Sequence, residues 1–209
     1  MPAPKTPVPV LESGDRLTRA EFHRRYCDRP DIKHAELVEG VVYVGSPIRL
    51  DVHGQPHADV MAWLGAYRAR HPDVAVGDNA TVYIDADNEL QPDAFLFSQA
   101  SSAPRLTEKG YVEGAPPLVV EVAASSASYD LHDKMRVYRR NGVQEYIVWR
   151  VLDETIDWFR LQEGEYVRVE PDADGIIEST PFPGLRLNVP KMLDGDLAGV
   201  LAELEPSAQ

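Results

Sequence analysis

The segment Leu118-Val119-Val120-Glu121-Val122-Ala123 limits the possible folds of this chain more than any other. It is apolar on both alternating faces but for one residue, so as a strand it reads as buried, inside a sheet covered on both sides. Glu121 falls on the face shared with Val119 and Ala123, where its carboxylate leaves the sheet among small or apolar groups and cannot simply reach bulk water. A carboxylate in such surroundings is costly unless something pairs with it.

Two further charges stand where apolar side chains are expected. Asp93 opens Asp93-Ala94-Phe95-Leu96-Phe97 after Pro92 and shares its strand face with both phenylalanines. Lys134 lies on a helical stripe with Leu131, Met135 and Tyr138, and so points toward the sheet. If the strands of Asp93 and Glu121 are neighbours, their carboxylates meet at one point. Converging carboxylates repel each other and are driven toward protonation unless a divalent cation lies between them. Magnesium, or manganese in its place, suits oxygen ligands and keeps several waters. A nearby ammonium can orient or deprotonate one such water for attack on phosphorus. The chemistry expected is hydrolysis of a phosphodiester.

The remaining pattern supports an α/β (α+β) domain with a mixed β-sheet flanked by helices and extra C-terminal strands. Residues 1–14 are proline-rich and without period, and are expected to form an extended, loosely held arm ahead of a single domain over residues 15–205. Thr18-Arg19-Ala20-Glu21 is a capping box, and Leu17 and Phe22 have the spacing of a hydrophobic staple, predicting a helix to Cys27 or Asp28. Glu36 to Val38, Glu39-Gly40 and Val41 to Val44 read as strand, tight turn and strand. Pro56 begins a helix whose apolar face carries Val60, Trp63, Leu64, Tyr67 and also His57, and His71-Pro72 ends it. Short strands are predicted at 74–76, 81–84 and 93–97, with Asp85 to Glu89 as a polar loop. A helix follows over Asp130 to Asn141, closed by Gly142, then strands at 146–149 and 155–161, a hairpin, and a final helix near Asp194 to Glu205.

Net charge is −13, from 34 acidic and 21 basic residues, which opposes the usual footprint of a nucleic-acid binder and counts against tight DNA binding. The basic residues gather at 16–33 and 134–140 and read most simply as solvated helix faces. No apolar run is long enough for a membrane span, and the N-terminus has no secretory pattern, so a cytoplasmic protein is expected. The single cysteine, Cys27, excludes an internal disulfide or a cysteine-based zinc cage. His53 and His57 are four apart, but Pro56 between them speaks against one continuous helix carrying both as zinc ligands. No Gly-x-Ser-x-Gly elbow surrounds Ser125 or Ser126, and no phosphate-cradling glycine loop occurs.

Pro92-Asp93 followed by Glu121-Val122-Ala123 within an apolar strand resembles the PD-(D/E)xK nuclease superfamily, and the whole chain is similar to its restriction endonuclease-like branch called Uma-two. The resemblance covers about residues 15–200. It is carried also by Glu36-Leu37-Val38-Glu39-Gly40, by the helix starting at His57, and by Asp130-Leu-His-Asp-Lys134-Met-Arg-Val-Tyr138 with Gly142-Val-Gln-Glu-Tyr146-Ile-Val. The lysine of the superfamily motif, two residues after the glutamate, is Ala123 here, and Lys134 matches the position to which this branch has moved it.

The resemblance implies a restriction endonuclease-like core in which Asp93, Glu121 and the Val122 carbonyl bind Mg2+ or Mn2+. It makes Lys134 the catalytic lysine and gives Glu36 and His57 supporting roles. It implies DNA as the partner, and cutting two strands suggests a homodimer. The competing expectation is a non-catalytic scaffold, acting as a binding or assembly module, in which Glu121 and Lys134 are a structural ion pair and Asp93 caps a turn.

Overall fold

The computed structural model describes residues 9–124 and 126–204. Along the chain run helix α1 (Arg19–Cys27), strands β1 (Ala35–Val38) and β2 (Val41–Val44), a π-helical turn at Leu50–Gly54, helix α2 (Gln55–Arg70), and strands β3 (Val74–Asp78), β4 (Val82–Tyr83), β5 (Glu89–Leu90) and β6 (Ala94–Ser98). Strands β7 (Arg105–Leu106), β8 (Val112–Glu113) and β9 (Leu118–Ala123) precede an unbroken helical stretch made of α3 (Ala127–Tyr129), a π-helical turn at Asp130–Lys134, and α4 (Met135–Arg140). Then come β10 (Glu145–Arg150), a 3-10 turn at Val151–Asp153, β11 (Thr155–Gln162), β12 (Glu165–Arg168), β13 (Ile176–Glu178), β14 (Arg186–Asn188), α5 (Val189–Leu193) and α6 (Leu197–Ala202).

The fold is mixed α+β, as expected. One six-stranded sheet has the order β12-β11-β10-β9-β6-β3, with β9 and β10 parallel and the other pairs antiparallel; a second has the order β2-β1-β5-β4-β8-β7. Alternation in β9 divides the core. Leu118, Val120 and Val122 pack with Val60, Trp63 and Leu64 of α2 and with the C-terminal elements. Val119 and Ala123 face Val137 and Tyr138 of α4 and the second sheet. The apolar run at 118–123 is therefore central because each of its faces has its own covering layer.

Local signals in the sequence account for several elements. Thr18 Oγ1 accepts the Glu21 N–H and Phe22 is fully buried in a small third core with Leu11 and Leu37. Glu39 and Gly40 have φ of +50° and +76°, the two positive values that a tight primed turn between β1 and β2 requires. The N-terminal segment over residues 9–14 lies against β2: Leu11 is buried, and Gly14 N–H donates to the Val42 carbonyl. Residues 1–8 of the expected arm lie outside the described residues.

Differences from expectation have physical reasons. The expected helix at 194–205 is shorter, α6 at Leu197–Ala202, since Gly195 takes φ of +74° and Asp196 caps α6 by accepting from Gly199 N–H; Glu205 lies outside the described residues. Strands β7 and β8 have two residues each, too few for any period. Pro56 does not separate His53 from His57, because it sits in the first turn of α2, where a missing N–H is tolerated, and the π-helical turn runs straight into that helix. Among the described residues no helix is long and apolar enough to cross a membrane.

Gly77 in β3 lies opposite Phe95 of β6, and a Cβ there would come within 2.0 Å of the phenyl ring. Phe95 is buried and cannot swing away. Gly77→Ala is expected to destabilise the fold by about 1–3 kcal/mol, seen as a lower urea midpoint; an unchanged midpoint would show that the ring has room to move.

Candidate functional site

Antiparallel pairing of β6 and β9 sets Ala94 opposite Val120, which brings Asp93, at the entry to β6, beside Glu121 and Val122. Asp93 Oδ2 accepts the Val122 N–H at 2.7 Å, and Glu121 Oε2 accepts the Asp93 N–H at a long 3.4 Å. A strand residue directs its N–H and C=O to the same side, so the Val122 carbonyl also lies on the Asp93 side, beyond the last β6 pair.

From the opposite layer, Lys134 Nζ reaches Glu121 Oε1 at 3.0 Å, Glu36 Oε2 at 2.9 Å and Asp130 Oδ1 at 3.5 Å. Tyr138 OH donates to Glu121 Oε1 at 2.8 Å. Glu36 stands in β1, where its other oxygen accepts the Gln91 N–H at 2.8 Å. The helix positions are those of a single face: Asp130, Lys134 and Tyr138 follow at intervals of four. All of these side chains are buried.

Two histidines complete the surroundings. His53, in the first π-helical turn, places Nε2 3.2 Å from Asp93 Oδ1. His57 Nε2 is 3.0 Å from the Asp93 carbonyl oxygen and 3.3 Å from Asp78 Oδ1, so it meets Asp93 through the backbone and not the carboxylate. A cavity of about 420 Å³ opens onto Glu36, His53, Asp93, Glu121, Asp130 and Lys134, with Tyr43 and Tyr129 packed at a tilt, centroids 4.2 Å apart, in its wall. His57 does not line it.

The electrostatics are those of too much negative charge around one ammonium. Burial pulls Lys134 down, but Glu121, Glu36 and Asp130 together hold it well above the usual lysine range, so it stays protonated. Burial lifts Glu121 well above the usual carboxylate range, with Asp93, Asp130 and Glu36 adding to the effect against Lys134. Asp130 is also raised, by burial first. Burial acts to raise Glu36 as well, yet Lys134 and His34 bring it down to about 2. Asp93 is lowered against its burial by the His53 contact, and that same contact raises His53. A phosphodiester would meet net negative charge here unless a cation came with it.

The donor set suits such a cation. Two carboxylates and the adjoining carbonyl are hard oxygen donors beside the cavity, and Glu121 Oε2 has only its long contact. Among the described residues no three His, Cys, Asp or Glu side chains converge on a common metal position.

Asp130 gives a test of this charge balance. A carboxyl whose folded value is raised favours the fold while protonated and loses that advantage as pH rises through the raised value. Asp130→Asn, measured in EDTA, is therefore expected to stabilise the protein by about 1 kcal/mol near neutral pH, with a smaller gain near pH 4. Thermal melts at the two values check this, and equal gains would show that ionisation is not the cause.

Of the residues singled out in the sequence, the structure gathers Asp93, Glu121, Val122, Lys134 and Glu36 around one cavity and sets His57 behind Asp93. Sequence reasoning sets Tyr138 on the Lys134 stripe but gives it no role, and it does not mark Asp130, to which the four-residue spacing about Lys134 could have pointed. It weighs His53 only as a zinc partner of His57 and sets it aside because of Pro56.

The mixed sheet thus brings Asp93, at the entry to β6, beside Glu121 of the adjacent β9, with Lys134 delivered from a covering helix. A family model, Uma2, described as "Putative restriction endonuclease", matches residues 19–190, and the chain belongs to that family. The fold also resembles a solved structure described as "a putative nuclease belonging to DUF820" from Anabaena variabilis, at a TM-score of 0.63 and 15% identity, over 82% of this chain and 96% of that one. Among curated proteins no sequence matches.

Proposed function

We propose that this protein is a metal-dependent endonuclease that hydrolyses DNA phosphodiester bonds. The observation that carries the reading is the convergence of Asp93, Glu121 and Lys134, all buried, at the wall of one cavity. Asp93, Glu121 and the Val122 carbonyl would hold Mg2+ or Mn2+. When bound, the ion supplies Lewis-acid polarisation of a phosphoryl oxygen and neutralises charge on the phosphate.

The chain's own groups do the rest. Lys134 orients the attacking water and offsets negative charge developing on the phosphate. Glu36 and Asp130 keep Lys134 protonated and in place. Tyr138 fixes the rotamer of Glu121 by donating to Oε1, which leaves Oε2 for the ion. His53 and the Val122 N–H orient Asp93, and His57 secures its backbone. Cutting both strands of a duplex requires two such sites, which a homodimer would supply; a monomeric mass at micromolar concentration would remove that part of the reading.

A second reading is favoured by one observation: Glu121 already has Lys134 and Tyr138 as partners and needs no ion to be satisfied. In it the protein is a non-catalytic scaffold that binds or assembles with partners. The deciding experiment incubates supercoiled, linear and single-stranded DNA with wild type and Asp93→Ala in magnesium, manganese or EDTA. Nicking by wild type alone, lost in EDTA, supports the nuclease; no cutting by either protein supports the scaffold.

A further inference from the structure

A second constellation of chemically active groups lies on the far side of β1, apart from the acidic cavity. Cys27, the single cysteine, is exposed at the end of α1, and its Sγ is 3.4 Å from His23 Nε2, one helical turn earlier. The other ring nitrogen, His23 Nδ1, is 2.9 Å from Glu89 Oε1. Glu89 is 1% exposed, and its second oxygen, Oε2, is buried without a hydrogen-bond partner. Burial raises the Glu89 carboxyl, and the His23 contact works against that. The ring is held edge-on by Tyr83 and Tyr111, and Tyr83 OH lies 3.2 Å from Nε2 and 3.3 Å from Nδ1.

This is one order of groups that makes a thiol nucleophilic: an accessible sulfur, a base in contact with it, and a buried carboxylate that fixes the base. With Nδ1–H donated to Glu89, Nε2 is free to accept the thiol proton. Glu89 is inconvenient to bury for stability alone, because one of its oxygens is unsatisfied. We propose that Cys27, His23 and Glu89 form a reactive-thiol site that undergoes exchange with small disulfides.

The step balances without any other reactant. His23 Nε2 takes the Cys27 proton, the sulfur attacks one sulfur of the disulfide, the S–S bond breaks, and a mixed disulfide forms on Cys27. The departing thiolate takes the proton from His23 and leaves as a free thiol. Nothing in this step uses the acidic cavity, so it stands or falls apart from the nuclease reading.

The test uses the full-length protein and a small aromatic disulfide whose thiolate is coloured. Near neutral pH the folded protein should react about tenfold faster than a peptide spanning Arg19 to Asp28, and its pH–rate profile should be displaced to lower pH. His23→Gln and Glu89→Gln, shown to be folded by circular dichroism, should fall toward the peptide's rate, and Cys27→Ser should not react. A folded protein that reacts no faster than the peptide, with a superimposable pH profile, would overturn the site even if neither variant folds. So would a folded His23→Gln that reacts as fast as wild type.

Discussion

Asp93→Ala is expected to lower metal-dependent DNA cleavage by a factor of about 10²–10³ or more, the loss that follows when several kcal/mol of charge stabilisation are removed from a phosphoryl-transfer site. The alanine also removes the acceptor for the Val122 N–H, and a buried donor left unmatched costs about 1–3 kcal/mol. Asp93→Asn separates the two effects. It keeps an oxygen for Val122 N–H while discarding the charge, so it should fold as wild type does and still fail to cut. Calorimetric titration with Mn2+ should show wild type binding the ion and both variants binding it weakly or not at all. Equal cleavage by wild type and Asp93→Asn would remove Asp93 from the metal site.

Lys134→Met is expected to be the most destabilising single change near the cavity, by about 3–5 kcal/mol in EDTA, because it strands buried carboxylates around an apolar side chain. Glu121, Glu36 and Asp130 all face this ammonium within 3.5 Å. The stranded groups can recover part of the cost by taking up protons, so the loss should grow as pH rises. The double variant Lys134→Met with Glu121→Gln should regain a measurable part of it, since one of the stranded charges is then gone. Urea denaturation of the two single variants and the double variant checks this. A double variant as unstable as the sum of its parts would mean that the two groups do not act as a pair.

The two π-helical turns bear on why the site is built as it is. Each places side chains of the proposed site at the cavity: His53 from Leu50–Gly54, and Asp130 with Lys134 from Asp130–Lys134. Wide turns of this kind are uncommon in helices and are often found at functional sites, because they re-aim side chains relative to a regular helix. Beyond the cavity the arginines are largely matched: Arg136 and Arg140 meet Glu39, Arg139 meets Glu165, and Arg24 and Arg25 meet Glu21. The basic segments are therefore solvated, ion-paired helix faces.

The parts of the site that could be read from the chain are those with a local period. Glu121 announces itself because alternation along β9 assigns it to a buried face, and Lys134 because the helical stripe through Leu131 and Tyr138 does the same. Asp93 could be placed on a face but not beside Glu121, since strand neighbours are settled by the order of the sheet and not by any spacing along the chain. The short strands β5, β7 and β8, unlike their neighbour β4, were opaque for a related reason. They hold two residues each and exist through pairing with β4 and with one another.

What the sequence determined by itself was therefore the buried strand, the helices with their caps and turns, and the presence of charges in apolar surroundings, all of which depend on residues within a few positions of one another. Only the tertiary structure decided that β6 lies next to β9, that Glu36 reaches Lys134 from the second sheet, that His53 rather than His57 faces the Asp93 carboxylate, and that His23 meets Glu89. These are contacts between distant segments. They are fixed by how whole layers bury their apolar faces, and that is a property of the packed chain, which no local pattern encodes.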